Sequence, residues 1–192
     1  MGGVAKPLLA LDGIPLVQHV IDRIRPQVSS LVLSVARENP DLRPFRVEQV
    51  MDPVPGCGPL GGLLAALAHM PAGSEWLLLV PCDAPFLSHD LASRLVNKAM
   101  SANAPACVAN LGTELQPTFS VWRRSLMPEL QQAVLSDGLG GFKQFLGRVP
   151  YATLDCEPAE SGSFFNINTP RDLEQAEELI GRARSAQLGS QG

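Results

Sequence analysis

Asp83 lies in the run Pro81-Cys82-Asp83-Ala84-Pro85, directly after an apolar stretch that begins at Trp76. Prolines on both sides stiffen the turn around it. A carboxylate held there has two uses. It can bind a hard cation such as Mg²⁺ through one oxygen while ligand phosphates supply the rest, or it can cap the following turn by accepting from backbone N–H groups. Lys6 stands near Gly2 and Gly3, a setting for a phosphate contact or for ordinary solvated surface. Asn166-Ile167-Asn168-Thr169-Pro170 puts two amides on one side of an extended segment, just before a helix start. Such amides can donate and accept towards a heterocycle or a phosphate, or serve turn and capping chemistry.

Asp52 opens a loop that runs to Gly62, and Gly56-Cys57-Gly58-Pro59-Leu60-Gly61 within it matches G-x-G-x-x-G. That pattern in a dinucleotide site needs a tight turn from strand to glycine. Here Asp52-Pro53-Val54-Pro55 intervene, and Pro59 removes one N–H from any phosphate cradle. Nicotinamide or flavin binding is therefore not expected. No G-x-x-x-x-G-K-[ST] or G-x-S-x-G run occurs. The four cysteines, at 57, 82, 107 and 156, form no C-x-x-C pair, and His19, His69 and His89 share no zinc-ligand spacing. The cysteines read as reduced side chains packed in a cytosolic protein. His19 and His69 fall on helix faces, and His89 on the surface.

The elements that must position these residues alternate between strand and helix. Leu16, Val17, Val20, Ile21 and Ile24 make a helical stripe over 15–27. Apolar runs at 31–36, 46–51 and 76–81 read as strands, with a helix over 60–70 between the last two. A helix over 89–101 takes Ser88 as its cap. Strands follow at 106–110 and 117–122, helices at 125–135 and 142–147, and strands at 151–154 and 163–167. Thr169 caps a final helix over 170–185, with Pro170 at its first position and Asp172 closing a capping box. Continuous apolar strands between helices predict a three-layer α/β fold, with a mostly parallel sheet covered on both faces. One domain over 1–192 is expected, with a core over 1–184 and a frayed tail over 185–192. In such sheets ligands bind beyond the carboxyl ends of the strands. That rule selects the loops at Ser34–Arg37, Asp52–Gly62 and Pro81–Pro85.

Composition narrows the function classes. Fifteen basic and nineteen acidic side chains leave a net charge of −4 with no basic block, which argues against nucleic acid. No run reaches the ~20 apolar residues of a membrane span, and no secretory signal pattern is visible at the start.

Taken in order, M-G-G-x-x-K-x-L-L-x-L-x-G-x-P-L at 1–16, D-x-x-x-x-x-G-P-L-G-G-L at 52–63, P-C-D-x-P at 81–85, Q-P-T at 116–118 and N-I-N-T-P at 166–170 resemble the molybdenum cofactor guanylyltransferase family. The resemblance covers nearly the whole chain. It implies a nucleotidyltransferase fold and a cytoplasmic, Mg²⁺-dependent enzyme that transfers GMP from GTP to the terminal phosphate of molybdopterin and releases pyrophosphate. It implies that Asp83 holds Mg²⁺, that Lys6 and Asp52 contact GTP, the aspartate through guanine or ribose, and that Asn166 and Asn168 lie towards the pterin. Docking to other cofactor-maturation proteins is a further implied partnership.

The chain departs from the family pattern in four places. Ala5 replaces an aspartate, Ser34 and Ala36 stand where the family has N-x-N, and Gly140 and Gly141 stand where it tends to have basic residues. The family also begins with an apolar strand and an L-A-G-G-x-x-x-R run ahead of M-G-G, so an amino-terminally truncated member is expected, with Met1 internal to a longer protein. Upstream in-frame codons for a strand and a glycine loop are the corresponding expectation, and a stop codon directly before Met1 contradicts it. Two alternatives remain open on sequence: a cytidylyltransferase of the same fold, and a non-catalytic protein that binds molybdopterin or docks on a maturation partner.

Overall fold

The computed structural model describes residues 6–189, with side chains described through residue 182. Met1-Gly2-Gly3, which carry part of the family pattern, and Ala5, which departs from it, lie outside the described residues, as do 190–192. The described chain is a mixed α/β structure. A short hairpin, β1 (Ala10–Leu11) and β2 (Ile14–Pro15), leads into α1 (Leu16–Ile24). Strands β3 (Val32–Val35) and β4 (Glu48–Met51) pair in parallel. Helix α2 (Gly58–Ala68), β5 (Trp76–Leu79), α3 (Leu91–Ser101), β6 (Ala106–Leu111) and β7 (Glu114–Arg123) follow. Then come α4 (Met127–Gln131), α5 (Phe142–Leu146), β8 (Ala152–Cys156) and α6 (Pro170–Gly189). The larger sheet has the order β5-β7-β6-β8.

Most of the expected helices and strands are present, with helices on both faces, but the sheet is mixed rather than mostly parallel, and β3 and β5 are half-buried rather than buried. β7 runs antiparallel to both β5 and β6, while β6–β8 and β3–β4 are parallel. The physical reason is that burial on both faces, not strand direction, produces a continuous apolar run. β6 and β7 are antiparallel partners with fully buried stretches, joined by a turn at Gly112, where φ is +62°. Residues 163–167 form no strand. Pro158–Phe164 is a 3₁₀ turn, and the segment after it gives Ile167 N–H to Asp83 O at 2.9 Å rather than joining a ladder. Helix α3 is capped at Asp90 rather than Ser88, whose hydroxyl instead donates to Asp90 Oδ1. The helix expected over 125–135 is broken into a 3₁₀ turn, α4 and a π-helical turn over Gln132–Ser136. Helix α6 runs to Gly189, past residue 184, where the core was expected to end.

Period-two alternation on the strands builds the core. Trp76, Leu78, Cys107, Phe119 and Val121 face the layer of α1 and α3, where Phe119 meets Phe164 edge-on at 5.0 Å. Leu77, Leu79, Val108 and Trp122 face the layer of α2, α4 and α5, where Trp122 packs on Phe142 and Phe145. Helix α1 buries the stripe read from its sequence, and α2 is apolar on nearly all sides because it lies against β3, β4 and β5. The β6–β7 register slips at one point: Val108 opposes Ser120 while Ala109 opposes Gln116. Pro117, Thr118 and Phe119 are thereby looped out of the ladder, which suits a proline with no N–H to give.

One buried polar chain crosses this bulge. Trp122 Nε1 donates to Ser120 Oγ at 2.8 Å, and the Ser120 hydroxyl donates to Pro117 O at 2.6 Å, with both side chains fully buried. Removing the hydroxyl leaves the buried Trp122 N–H and the half-buried Pro117 carbonyl unmatched, so Ser120→Ala is expected to lower stability by ~1–3 kcal/mol in urea unfolding. In a Trp122→Phe background the same change should cost clearly less.

Candidate active site

The carboxyl ends of β3, β4 and β5 open into a cleft of about 350 Å³. Ser34 and Ala36 line it from β3, Asp52 from β4, and Leu79, Val80 and Pro81 from β5. Gly58, Pro59, Gly62 and Leu63 of α2 form one wall, and Thr118 of the bulge and Phe142 complete it. Thr118 of the Q-P-T run lies in the segment that the register slip loops out of the ladder. Helix α2 approaches closely enough that a Cβ on Gly62 would collide with Ser34 Oγ and come within 3.7 Å of Asp52 Oδ1. Asp52 is half-buried, and its side chain makes no hydrogen bond or ion pair among the described residues. Burial pushes its carboxyl above the usual aspartate value. A desolvated carboxylate beside a hydroxyl at the end of a cleft is a ready acceptor for ligand N–H or O–H groups.

The glycine-rich segment does not form a dinucleotide cradle. β4 ends at Met51 and α2 starts only at Gly58, so no tight turn joins them. Leu60 N–H donates to Gly140 O at 3.1 Å, and Pro59 has no N–H. Gly58 has φ +63°, and a Cβ there would lie 2.8 Å from Gly140 O. Gly140, where the family tends to carry a basic residue, thus serves as a backbone packing surface.

The second cluster forms beside β5. Asp83 is buried, 8% exposed, two residues after the cleft-lining Pro81. Its Oδ2 pairs with Lys6 Nζ, which also donates to Asn168 Oδ1. The bond from Ile167 N–H to Asp83 O ties the two loops together. Asn166 Oδ1 is buried without a hydrogen-bond partner. The Asn168 and Thr169 N–H groups both donate to Asp172 Oδ2 at 2.8 Å, and Asp172 N–H donates to Thr169 Oγ1 at 3.2 Å. This is the capping box read from sequence, and it also fixes Asn168. Lys6, Asp83 and Asn168 are therefore brought together, with Asn166 next to them. Asp52 belongs to the cleft with Ser34. Among the described residues no group of three or more His, Cys, Asp or Glu side chains could hold a metal ion. A cation at Asp83 would rely on that carboxylate and on ligand oxygens, a donor set that suits Mg²⁺. Neighbouring Cys82 is a protonated thiol at neutral pH, since burial raises it to about 11.

The model of the MobA-like NTP transferase domain matches residues 1–152. The chain belongs to this family. Its members are nucleotidyltransferases. The chain is 36% identical over 184 residues to the molybdenum cofactor guanylyltransferase of Rhodopseudomonas palustris strain BisB5, covering 93% of this chain and 87% of that one. It is likewise 36% identical to the enzyme of that name from Vibrio cholerae, over 91% and 84% of the two chains. Among solved structures it is similar to molybdopterin-guanine dinucleotide biosynthesis protein A from Archaeoglobus fulgidus, at TM-score 0.78 and 25% identity over 94% and 92%. It shares the fold alone with 2-C-methyl-D-erythritol 4-phosphate cytidylyltransferase from Thermus thermophilus, at TM-score 0.68 and 19% identity over 91% and 93%.

The sequence reading missed Phe142 as a wall of the cleft and the positioning role of Asp172 for Asn168. The capping pattern T-x-x-D carried a signal for the second. Backbone hydrogen bonds from Asn168 and Thr169 hold the Asp172 carboxyl below its ordinary value. A carboxyl lowered in the folded state stabilises above its unfolded value and loses that contribution as pH falls through the folded one. Asp172→Asn is therefore expected to lower the unfolding midpoint at pH 7. The difference from the parent chain should shrink towards zero as the carboxyl titrates in acid, read by denaturant melts across pH.

Proposed function

We propose that this protein transfers GMP from GTP to the terminal phosphate of molybdopterin, releasing pyrophosphate and forming the guanine dinucleotide cofactor. The observation that carries this reading is the convergence of Lys6, Asp83 and Asn168 at the carboxyl end of β5, beside a cleft that holds an unpartnered Asp52. The names of the family relatives supply the substrates. The same reading places the enzyme in the cytoplasm and leaves room for docking to other cofactor-maturation proteins.

The reaction asks little proton chemistry of the protein. The nucleophile is a phosphate with a second pKa of ~6, already an anion near neutral pH, so no general base is required. Rate then comes from positioning and from neutralising charge on the α-phosphate. Asp83 would hold Mg²⁺, which would supply charge withdrawal from the phosphates. Lys6 follows the triphosphate, exchanging its carboxylate partner for phosphate oxygens while staying in reach of Asn168. Asp52 accepts from guanine or ribose, with Ser34 next to it. Asn166 offers its unmatched carbonyl oxygen, and Asn168 its amide, towards the pterin side.

Asp83→Asn keeps the shape and removes the charge. It is expected to cut pyrophosphate release from GTP and molybdopterin by at least ~100-fold while leaving the unfolding transition cooperative. Metal-dependent turnover at the parent rate would remove Asp83 from this role. Ser34 and Ala36 line the cleft where amide side chains are absent, so the base is the less constrained part of the substrate. With Mg-GTP and Mg-CTP in competition, GTP should supply most of the transferred nucleotide, and a preference for CTP would favour the cytidylyltransferase reading instead.

A further inference from the structure

Three polar side chains line the cleft, those of Ser34, Asp52 and Thr118. They come from different ladders. Ser34 lies on β3 and Asp52 directly after β4, which pairs with it, whereas Thr118 belongs to β7, the partner of β5. The β5–β7 register is regular as far as Leu79 opposite Ser120. Carried two residues further, it sets Thr118 opposite Pro81, which also lines the cleft and stands two residues before Asp83. Thr118 therefore marks the end of the cleft beside Asp83, and Asp52 marks the end on the β3–β4 pair.

The chain holds Thr118 firmly on both sides and leaves its hydroxyl unused. The residue before it, Pro117, has a fixed φ and accepts at its carbonyl from Ser120 Oγ at 2.6 Å, and Ser120 Oγ in turn accepts from Trp122 Nε1 at 2.8 Å. The residue after it, Phe119, is fully buried and meets Phe164 edge-on at 5.0 Å. That aromatic contact also ties the bulge to the segment that carries Asn166, two residues beyond Phe164. Thr118 itself is half-buried, and its side chain makes no hydrogen bond among the described residues. A positioned hydroxyl of this kind offers a ligand one donor and two acceptor sites.

We propose that Thr118 holds the acceptor substrate, donating from Oγ1 to an oxygen of its terminal phosphate. The inference rests on the transferase reading above and deepens it. In that reading the nucleotide already has its contacts: Asp52 and Ser34 at the base or ribose, Lys6 and Asp83 at the triphosphate. The β7 wall is left for the second substrate, and its tie to the Asn166 segment joins the phosphate contact to the one assigned to the pterin. The chemistry of the group also fits. A phosphate oxygen must be aimed at the α-phosphorus roughly in line with the departing pyrophosphate. A neutral hydroxyl aims it through a charge-assisted hydrogen bond without neutralising the charge that makes it a nucleophile. That oxygen bonds to the α-phosphorus as the bond from this phosphorus to pyrophosphate breaks, and Thr118 keeps its proton throughout.

The test compares the 192-residue chain with its Thr118→Val and Thr118→Ser forms. Equilibrium binding of molybdopterin and of Mg-GTP is measured separately, followed by steady-state pyrophosphate release. Valine keeps the branched shape and removes the hydroxyl. Thr118→Val is expected to weaken molybdopterin binding by ~10-fold or more and to raise KM for it, with Mg-GTP affinity unchanged. Thr118→Ser should restore most of that loss. Because no protein group uses the hydroxyl, the unfolding midpoint of Thr118→Val should match the parent's, and a clear drop would assign the hydroxyl to the fold and overturn the proposal. It is equally overturned if molybdopterin binding is unchanged, if Mg-GTP is weakened in its place, or if serine does no better than valine. Molybdopterin binding without pyrophosphate release contradicts the transferase reading alone, and the comparison of affinities still decides the role of Thr118. A parent chain that does not bind molybdopterin overturns both.

Discussion

A buried carboxylate needs a counter-charge, and Asp83, beyond the end of β5, has one in Lys6. That pair sets the geometry of the whole site. Lys6 reaches Asn168, Ile167 N–H reaches Asp83 O, and Asp172 fixes the backbone at Asn168 and Thr169. Three segments distant in sequence are thereby held at one point beside β5. The chemistry of phosphoryl transfer fits such an arrangement, because the work lies in charge neutralisation and alignment rather than in making a nucleophile.

The second constraint is the close approach of α2 to the ends of β3 and β4. It requires glycine at 62 opposite Ser34 and at 61 opposite Cys57, and the clasp between Gly58 and Gly140 holds the helix start in place. The glycine-rich loop therefore serves packing, and it brings a desolvated Asp52 to the cleft. Two acidic residues thus have different surroundings. Asp83 is matched by a lysine, while the Asp52 carboxylate has no partner among the described residues.

Helices and buried strands were legible because burial writes period 3.6 or a continuous apolar run into the sequence. The stripe of α1 and the capping box of α6 carried over directly. Strand direction was not legible, since β6 and β7 look the same whether paired parallel or antiparallel. The bulge at Pro117–Phe119 was hidden for a related reason: register depends on a partner strand, and only the proline hinted at a missing ladder bond. The segment after Phe164 looked like a strand because Phe164, Phe165 and Ile167 are apolar, yet it is tied to the Asp83 loop instead of to a sheet edge. Of the site, Lys6, Asp83 and Asn168 were singled out in sequence and meet in space, whereas Phe142 left no local sign of its place in the cleft.

The most direct measurement is a double-mutant cycle on Lys6 and Asp83, using Lys6→Met and Asp83→Asn singly and together, with unfolding free energy and Mg-GTP affinity as readouts. If the pair organises the site, each single change leaves a charge without its partner, and the two effects should fail to add by ~1 kcal/mol or more. Additivity in both readouts would mean that Lys6 and Asp83 act independently, and the constraint on which the site is built would be absent.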